Sequence, residues 1–236
     1  KAAAFDDAER ADRFAQAERA FAEAADEAAA GAKAEYLIDR GRLLVRWADG
    51  ADADRLDRAE AALTAALTEM AGTFRPPLQA EARYWLGRAV AARRPFADAA
   101  GHLREAVTLS LQPSAARWHL PAVDALSRLT VEEAGRGRPV EVVAELAPFL
   151  RAGPPNRPLS PAWKALIDVR RLEAVRATVQ PTDWFRAYSA AVDAGVSAAG
   201  PSQDRAVRAE LLARRAVVCS APPHRDDARA EADARK

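Results

Sequence analysis

Few residues in the sequence have side chains suited to chemistry, and they lie apart from one another. Cys219 and His224 are close enough for a cysteine nucleophile and its histidine base. Cys219 ends the apolar run 217–219, however, and two prolines precede His224, so we predict a packed thiol. The other histidines, His102 and His119, fall in different predicted hairpins. Because no cluster of His, Cys and carboxylates has metal-ligand spacing, we predict no catalytic residue, no metal and no cofactor.

Two acidic pairs and one glycine pair are the remaining candidates. Asp6–Asp7 and Asp226–Asp227 are similar to the start of the aspartate-rich motif of helical prenyl-transfer enzymes. That motif needs a third acid, but positions 10 and 230 hold Arg and Ala, so we predict solvated charge. The segment 135–138, Gly-Arg-Gly-Arg, lacks the spacing of a phosphate-binding loop and is interpreted as a turn between helices.

The elements that must position any site are helices. Half of the residues are hydrophobic, yet only 6% are aromatic, and alanine, the best helix former, supplies much of the apolar mass. Runs of β-branched and aromatic residues, which are typical of strands, are missing. Gly31 is expected to end the first helix, and Gly195 or Gly200 the ninth. The predicted helices cover roughly 3–30, 33–47, 53–70, 78–93, 96–110, 113–134, a segment from 139, 161–177, a segment from 181, and 201–219.

Charge and hydropathy limit the class of partner. Lys and Arg number 35 against 34 Asp and Glu, so a net charge of +1 gives no reason to expect nucleic acid or an anionic membrane. No apolar stretch approaches the roughly 18 residues of a membrane-spanning helix. A single cysteine excludes an internal disulfide framework, and we expect a cytoplasmic protein. The chain begins with Lys and its only methionine is Met70, so we expect a piece of a longer protein.

A repeated pattern of small and large residues marks the hairpin at 81–113. Leu86 and Gly87 lie in its first helix, and Ala99, Leu103 and Ala106 follow in its second. This spacing resembles the tetratricopeptide repeat, in which small residues let two helices approach closely while leucines fill the space between them. The resemblance implies a stack of helical hairpins, in which each hairpin buries its apolar face against the next.

The preceding hairpin repeats the pattern with a longer turn. Gly41 corresponds to Gly87, while Ala59 and Leu63 correspond to Ala99 and Leu103. Its turn is six residues longer, and it resembles the long-turn repeats of actinobacterial proteins that carry a CHAT domain, a caspase-like protease domain. The apolar spacing at 14–24 fits the second helix of one more repeat, whose first helix would be mostly missing.

The predicted fold class is therefore all-α, a right-handed superhelical α-solenoid of tetratricopeptide-like hairpins. Its predicted segments are a partial N-terminal repeat at 1–31, hairpins at 32–156, a divergent hairpin with an end helix at 157–219, and a charged tail at 220–236.

A basic stripe is the predicted partner-binding site. Alignment of the hairpins puts Arg42, Arg88 and Arg128 at one equivalent position on the inner helices. Arg46 follows one turn after Arg42, and Tyr84 lies one turn before Arg88. Because arginine binds carboxylates through two parallel hydrogen bonds, we expect an acidic peptide or helix on the concave face. The asparagine and lysine of the family's carboxylate clamp are absent, so the clamp is not carried over.

The predicted function is protein–protein interaction, as a scaffolding or sensing arm of a larger protein, with a CHAT-type protease as the first candidate effector. Two alternatives remain open. One is the sensor arm of a large transcription regulator, which would have the same architecture. The other is an all-helical enzyme with a site between hairpins, which a deep pocket containing a titration-shifted carboxylate or histidine would favour.

Overall fold

The computed structural model describes residues 2–48, 52–93, 96–137, 139–151, 153–156, 158–200 and 204–220, and all regular structure in these ranges is helical. This confirms the all-α prediction. Two short 3₁₀ turns, at Pro113–Trp118 and Arg176–Thr178, join longer helices. The α-helices are α1 (Ala2–Glu27), α2 (Ala30–Trp47), α3 (Ala53–Glu69), α4 (Pro76–Ala91), α5 (Phe96–Ser110), α6 (His119–Ala134), α7 (Pro139–Arg151), α8 (Pro161–Ala174), α9 (Pro181–Ala199) and α10 (Arg205–Ser220).

Local chemistry sets the helix ends. The Asp52 side chain accepts a hydrogen bond from the Arg55 backbone N–H at 3.1 Å, which caps α3. The Ser160 hydroxyl accepts from the Trp163 backbone N–H at 3.3 Å and caps α8, as its position before a proline predicts. Gly200 ends α9 with a φ of 58°, a left-handed conformation that favours glycine.

Two predicted boundaries are wrong. Gly31 does not end the first helix: α1 stops at Glu27, and Gly31 lies in the first turn of α2, because Ala29 is extended (φ −61°, ψ 150°) and breaks the run. The helix predicted over 113–134 is divided into a 3₁₀ turn and α6. Pro121 explains the division, because it has no N–H to donate to the carbonyl of Arg117, and a continuous α-helix needs that bond.

The chain forms two compact units, of which the first comprises residues 1–125 with 154–156. In it, each helix from α2 to α5 packs on the one before, and α2 also contacts α4. Glycine permits the closest approaches. A Cβ added to Gly87 would lie 2.7 Å from Cγ of Leu103 and 3.3 Å from the Ala99 carbonyl oxygen, and one added to Gly41 would overlap Leu63.

The second unit comprises residues 126–153 with 157–236. Its helices α8, α9 and α10 pack in chain order, α8 also contacts α10, and α7 packs on α8. The core is built around Trp184 and Tyr188, whose rings stack at 4.8 Å, with Leu166, Val192 and Leu211 buried nearby. Gly195 lies inside α9, not at its end, and faces Leu211 and Ala165.

The tail from 221 onward lies outside the described residues, and with it His224 and the pair Asp226–Asp227. Arg138 and the centre of the long turn, residues 49–51, also lie outside them. None of the described helices combines the length and the hydropathy that a membrane span requires.

Candidate functional site

A tryptophan covered by two arginines forms the centre of the candidate site in the first unit. Trp85 on α4 is only 4% exposed. The Arg46 guanidinium lies 5.2 Å from the Trp85 ring centroid, and that of Arg88 lies 5.5 Å from it. Arg46 comes from α2, which packs directly against α4. Both guanidiniums lie within the distance at which a cation is attracted to an indole face.

A buried carboxylate lies below this pair. Glu81, one turn before Trp85 on α4, is 5% exposed. Its two oxygens face Arg42 at 3.3 Å and Arg117 at 3.4 Å. Arg42 also pairs with Asp39 at 2.6 Å. We call Arg42, Arg46, Glu81, Trp85 and Arg88 the Trp85 cluster.

Burial controls the ionisation of Glu81. Loss of solvent raises the pKa of its carboxyl above the ordinary value, and the charges of Arg42 and Arg117 only partly oppose this. The Trp85 indole N–H also lowers the pKa, although its geometry does not reach that of a hydrogen bond. The site therefore combines cationic groups with a carboxylate that is held out of water.

Further aromatic rings extend the cluster along α4. Tyr84 meets Trp85 edge to face at 4.9 Å and Trp118 at 5.6 Å. The Arg117 guanidinium lies 5.5 Å from the Trp118 ring centroid. Tyr84 and Trp118 are half-buried, so their rings form a rigid floor beside the exposed arginines.

The arginines of the Trp85 cluster differ in their charge partners. Arg42 is engaged by Asp39 and Glu81, whereas Arg46 and Arg88 are exposed and form no ion pair within the described part of the chain. An exposed guanidinium held against an indole is preorganised for a carboxylate, because stacking fixes its plane without using its N–H donors. Three of the five predicted binding residues, Arg46, Tyr84 and Arg88, therefore lie against one tryptophan, and Arg42 joins them through Glu81.

Arg128, the fifth predicted residue, lies in the second unit. It pairs with Glu210 at 3.2 Å. Glu210 also accepts from Arg170 at 2.8 Å and from Arg214 at 2.9 Å, and Arg214 bonds Glu173. We call Arg128, Arg170, Glu173, Glu210 and Arg214 the Glu210 network.

The Glu210 network lies in a low-dielectric setting. Burial alone would raise the pKa of Glu210, but hydrogen bonds and charge from Arg170, with help from Arg128 and Arg214, hold it below the ordinary value. Glu173 raises the pKa of Arg214 despite its burial. Burial, followed by the charge of Glu173, raises the pKa of Tyr188, whose hydroxyl donates to Glu173 at 3.0 Å.

Three of the residues considered for nucleophilic or metal chemistry, Cys219, His119 and His102, lie in the described ranges. Cys219 is fully buried. His119 faces the Ser110 hydroxyl at 2.9 Å, but both side chains are buried, and the hydroxyl donates to the Val107 carbonyl at 2.6 Å. In the described ranges no three His, Cys, Asp or Glu side chains are grouped as metal ligands would be. Burial, then the charge of the neighbouring Arg83, lowers the pKa of His102.

Sequence reasoning missed three members of the first site: Glu81, Trp85 and Arg117. A signal existed for Glu81, because it lies four positions before Trp85 and three before Tyr84, on the same helix face. No spacing connects Arg117 to this face, because the chain between α4 and the 3₁₀ turn includes a complete helix, α5. Comparisons of the chain with protein-family models, with curated proteins and with solved structures each found no match.

Proposed function

We propose that this chain is a right-handed α-solenoid of tetratricopeptide-like hairpins that binds another protein. Three features support the architecture. Helices pack in chain order, and contacts also join α2 to α4 and α8 to α10. Leu63 and Leu103 fill the spaces next to Gly41 and Gly87, the two glycines that occupy equivalent repeat positions. Stacked hairpins with small residues at the closest approaches are the packing that helical repeats use.

The Trp85 cluster is the observation that carries the binding function. Arg46 and Arg88 are exposed, lie over one buried indole and have no acidic partners in the described residues. A protein segment rich in Asp or Glu would supply the missing carboxylates, and the aromatic rings of Tyr84 and Trp118 would bury its apolar side chains. We infer an acidic peptide or helix as the partner.

In a larger protein this chain would act as a scaffolding or sensing arm. The long-turn repeat style supports a CHAT-type protease effector, with a transcription regulator as the alternative. Of the residues considered for nucleophilic chemistry, Ser110 and His119 lie within hydrogen-bond distance of each other, but both are buried and the Ser110 hydroxyl donates to a backbone carbonyl. We therefore propose partner recognition, not catalysis.

A peptide array tests this function. The array holds 15-residue peptides of matched length and helical propensity in which Asp and Glu content varies. We expect binding to rise with clustered acidic residues. The double variant Arg46→Glu, Arg88→Glu should lose about tenfold or more in affinity, since charge-assisted hydrogen bonds contribute about 1.5–3 kcal/mol each.

The matched control is Arg19→Glu, Arg205→Glu, which changes net charge by the same amount at two exposed arginines outside the Trp85 cluster. Circular dichroism should show unchanged helicity for both double variants. The proposal is wrong if acidic peptides bind no better than neutral ones, or if the control loses as much affinity as the cluster variant.

A further inference from the structure

The second unit contains a groove that the proposed protein-binding function does not use. Its volume is about 700 Å³, within the usual range for small-molecule sites. Helix α10 supplies one wall with Val217 and Val218, and α6 contributes Val131. Trp184 of α9 also lines it. The groove is therefore large enough for a small organic molecule, and much of its lining is aliphatic or aromatic.

The apolar wall is accessible to solvent. Val217 is 68% exposed, although the next two residues on α10, Val218 and Cys219, are buried. A ligand that covers an exposed branched side chain stabilises its complex with the protein. The gain is roughly 25 cal/mol per Å² of apolar surface removed from water.

Cations outnumber anions around the same groove. Three arginines, Arg128, Arg176 and Arg214, line it against two acids, Glu173 and Glu210. The acids are already engaged, because Glu173 binds Arg214 and Glu210 binds three arginines of the Glu210 network. The lining thus has an excess of positive charge.

Arg176 is the cation best placed for a ligand. Its guanidinium lies 4.9 Å from the Trp184 ring centroid, and it forms no ion pair with any residue that the structure describes. Trp184 is itself fixed, since its indole N–H donates to the Leu172 carbonyl at 2.6 Å. The guanidinium is therefore attracted to a fixed ring, and this contact leaves its N–H donors available to a ligand.

We propose that this groove binds a small aliphatic carboxylate. The carboxylate would accept hydrogen bonds from Arg176, with Arg128 beside it, and the hydrocarbon part would cover Val217 and Val131. Each part of such a ligand complements one part of the lining: a single negative charge meets the positive excess, and an unbranched or lightly branched chain meets the valines. This site would make the second unit a small-molecule sensor, in addition to the protein partner of the first unit.

Isothermal titration calorimetry with octanoate tests the proposal. A ligand of this size in a matched site is expected to bind with a Kd below about 1 mM. Octanol, which has the chain without the charge, and acetate, which has the charge without the chain, should each bind at least about tenfold more weakly.

Variants locate the binding. Arg176→Gln should weaken octanoate binding by about tenfold or more, while Arg176→Lys, which keeps the charge, should recover part of it. Val217→Asp should abolish binding, and because Val217 is largely exposed, helicity should not change. Arg186→Gln, which alters an exposed arginine on α9, is the matched control and should bind octanoate like the parent protein.

Three results would overturn the proposal. The first two are octanoate binding no tighter than octanol binding, and equal octanoate affinity in Arg176→Gln and Arg186→Gln. The third is binding of a tetrapeptide ending in valine, a peptide carboxylate with an aliphatic side chain, when octanoate does not bind. Loss of acidic-peptide binding in Arg46→Glu, Arg88→Glu would leave this result unaffected, so the two proposed sites fail independently.

Discussion

The two units use the same residue types, arginine, glutamate and tryptophan, for different ends. In the Trp85 cluster the arginines outnumber the nearby acids, and Arg46 and Arg88 remain exposed with only an indole as partner. In the Glu210 network, Arg170 is 1% exposed and bonds both Ser127 and Glu210. The Trp85 cluster therefore leaves two arginines exposed without a carboxylate partner among the described residues, whereas the Glu210 network holds Arg170 inside the fold.

The difference shows that the position of the nearest carboxylate determines whether an arginine forms an ion pair within the fold or stays exposed. Glu81 is buried and engages Arg42, but it does not reach the guanidiniums of Arg46 and Arg88. Glu210 lies where three arginines converge. An arginine paired with a partly buried carboxylate has part of its donors occupied, whereas one that lies over an aromatic face keeps its donors free of ion pairs.

Removing one arginine from each unit should separate these roles most strongly. Arg170→Met is expected to lower the free energy of unfolding by roughly 3–5 kcal/mol, because it leaves part of a buried charge network without its partner. Arg88→Met should cost less than about 1 kcal/mol, because its guanidinium is exposed. Urea unfolding followed by circular dichroism measures both.

Hydrogen exchange adds the location of each effect. Protection should fall in α8–α10 for Arg170→Met and remain unchanged in α2–α5. The double variant Arg170→Met, Glu210→Met should lose more stability than the single variant, because it also removes the carboxylate that pairs with Arg128 and Arg214. Equal costs for Arg170→Met and Arg88→Met would show that the two sets of arginines do not differ in role.

The close approach of α4 and α5 gives the next largest effect. Gly87→Ala gains about 1 kcal/mol of helix propensity but must displace Leu103 and crowd the Ala99 carbonyl, a cost of about 1–3 kcal/mol. Gly101→Ala, on α5, gains the same propensity and meets no atom within 4 Å. Thermal unfolding should therefore show a higher free energy of unfolding for Gly101→Ala than for the parent protein. The free energy of unfolding of Gly87→Ala should be at least about 1 kcal/mol lower than that of Gly101→Ala.

The same test checks whether the first unit depends on glycine in the way that its repeat resemblance implies. If Gly87→Ala is as stable as Gly101→Ala, then Leu103 moves without cost, and the tight packing of these two helices is not a requirement of the fold.

The pH dependence of stability gives the smallest effect, with opposite signs in the two units. The folded pKa of Glu81 is raised, so stability falls as the pH rises from about 4.5 through the folded pKa. The folded pKa of Glu210 is lowered, so stability is present above about 4.5 and falls as the pH drops through the folded pKa. Glu81→Gln should remove the first slope, and Glu210→Gln the second.

Urea unfolding of both variants and the parent protein from pH 3 to pH 7 measures these slopes. The two variants serve as controls for each other, since each changes one carboxyl to an amide. Slopes of the same sign would mean that burial determines the pKa of both glutamates. The arginines of the Glu210 network would then not hold Glu210 ionised.

Helix positions follow closely from local sequence, with two instructive exceptions. Proline and the capping residues Asp52 and Ser160 mark helix starts by chemistry that operates within four residues. Gly31 misled the prediction because glycine is tolerated in a first helical turn as well as after a last one. The break at His119 depends on Pro121, two positions later, and on the bond that it cannot form.

The site was only partly predictable because its charges are paired over long distances. Helical periodicity alone places Arg46 beside Arg42, and Tyr84 beside Arg88. Arg128 was assigned to the same stripe by its repeat position, but its carboxylate partner, Glu210, lies 82 residues further along the chain. The function of Gly195 as a close-approach residue was equally hidden, because it depends on Leu211 of the next helix.

Packing in chain order has a consequence for synthesis on the ribosome. Helices α2 and α3 meet as soon as residues 30–69 have emerged. Helical contacts between sequence neighbours form in microseconds to milliseconds, whereas translation adds about 5–20 residues per second. The growing chain therefore spends seconds with its latest helix exposing an apolar face that the next helix will cover. Chaperones, or other copies of the chain, would contact this apolar face while it is exposed.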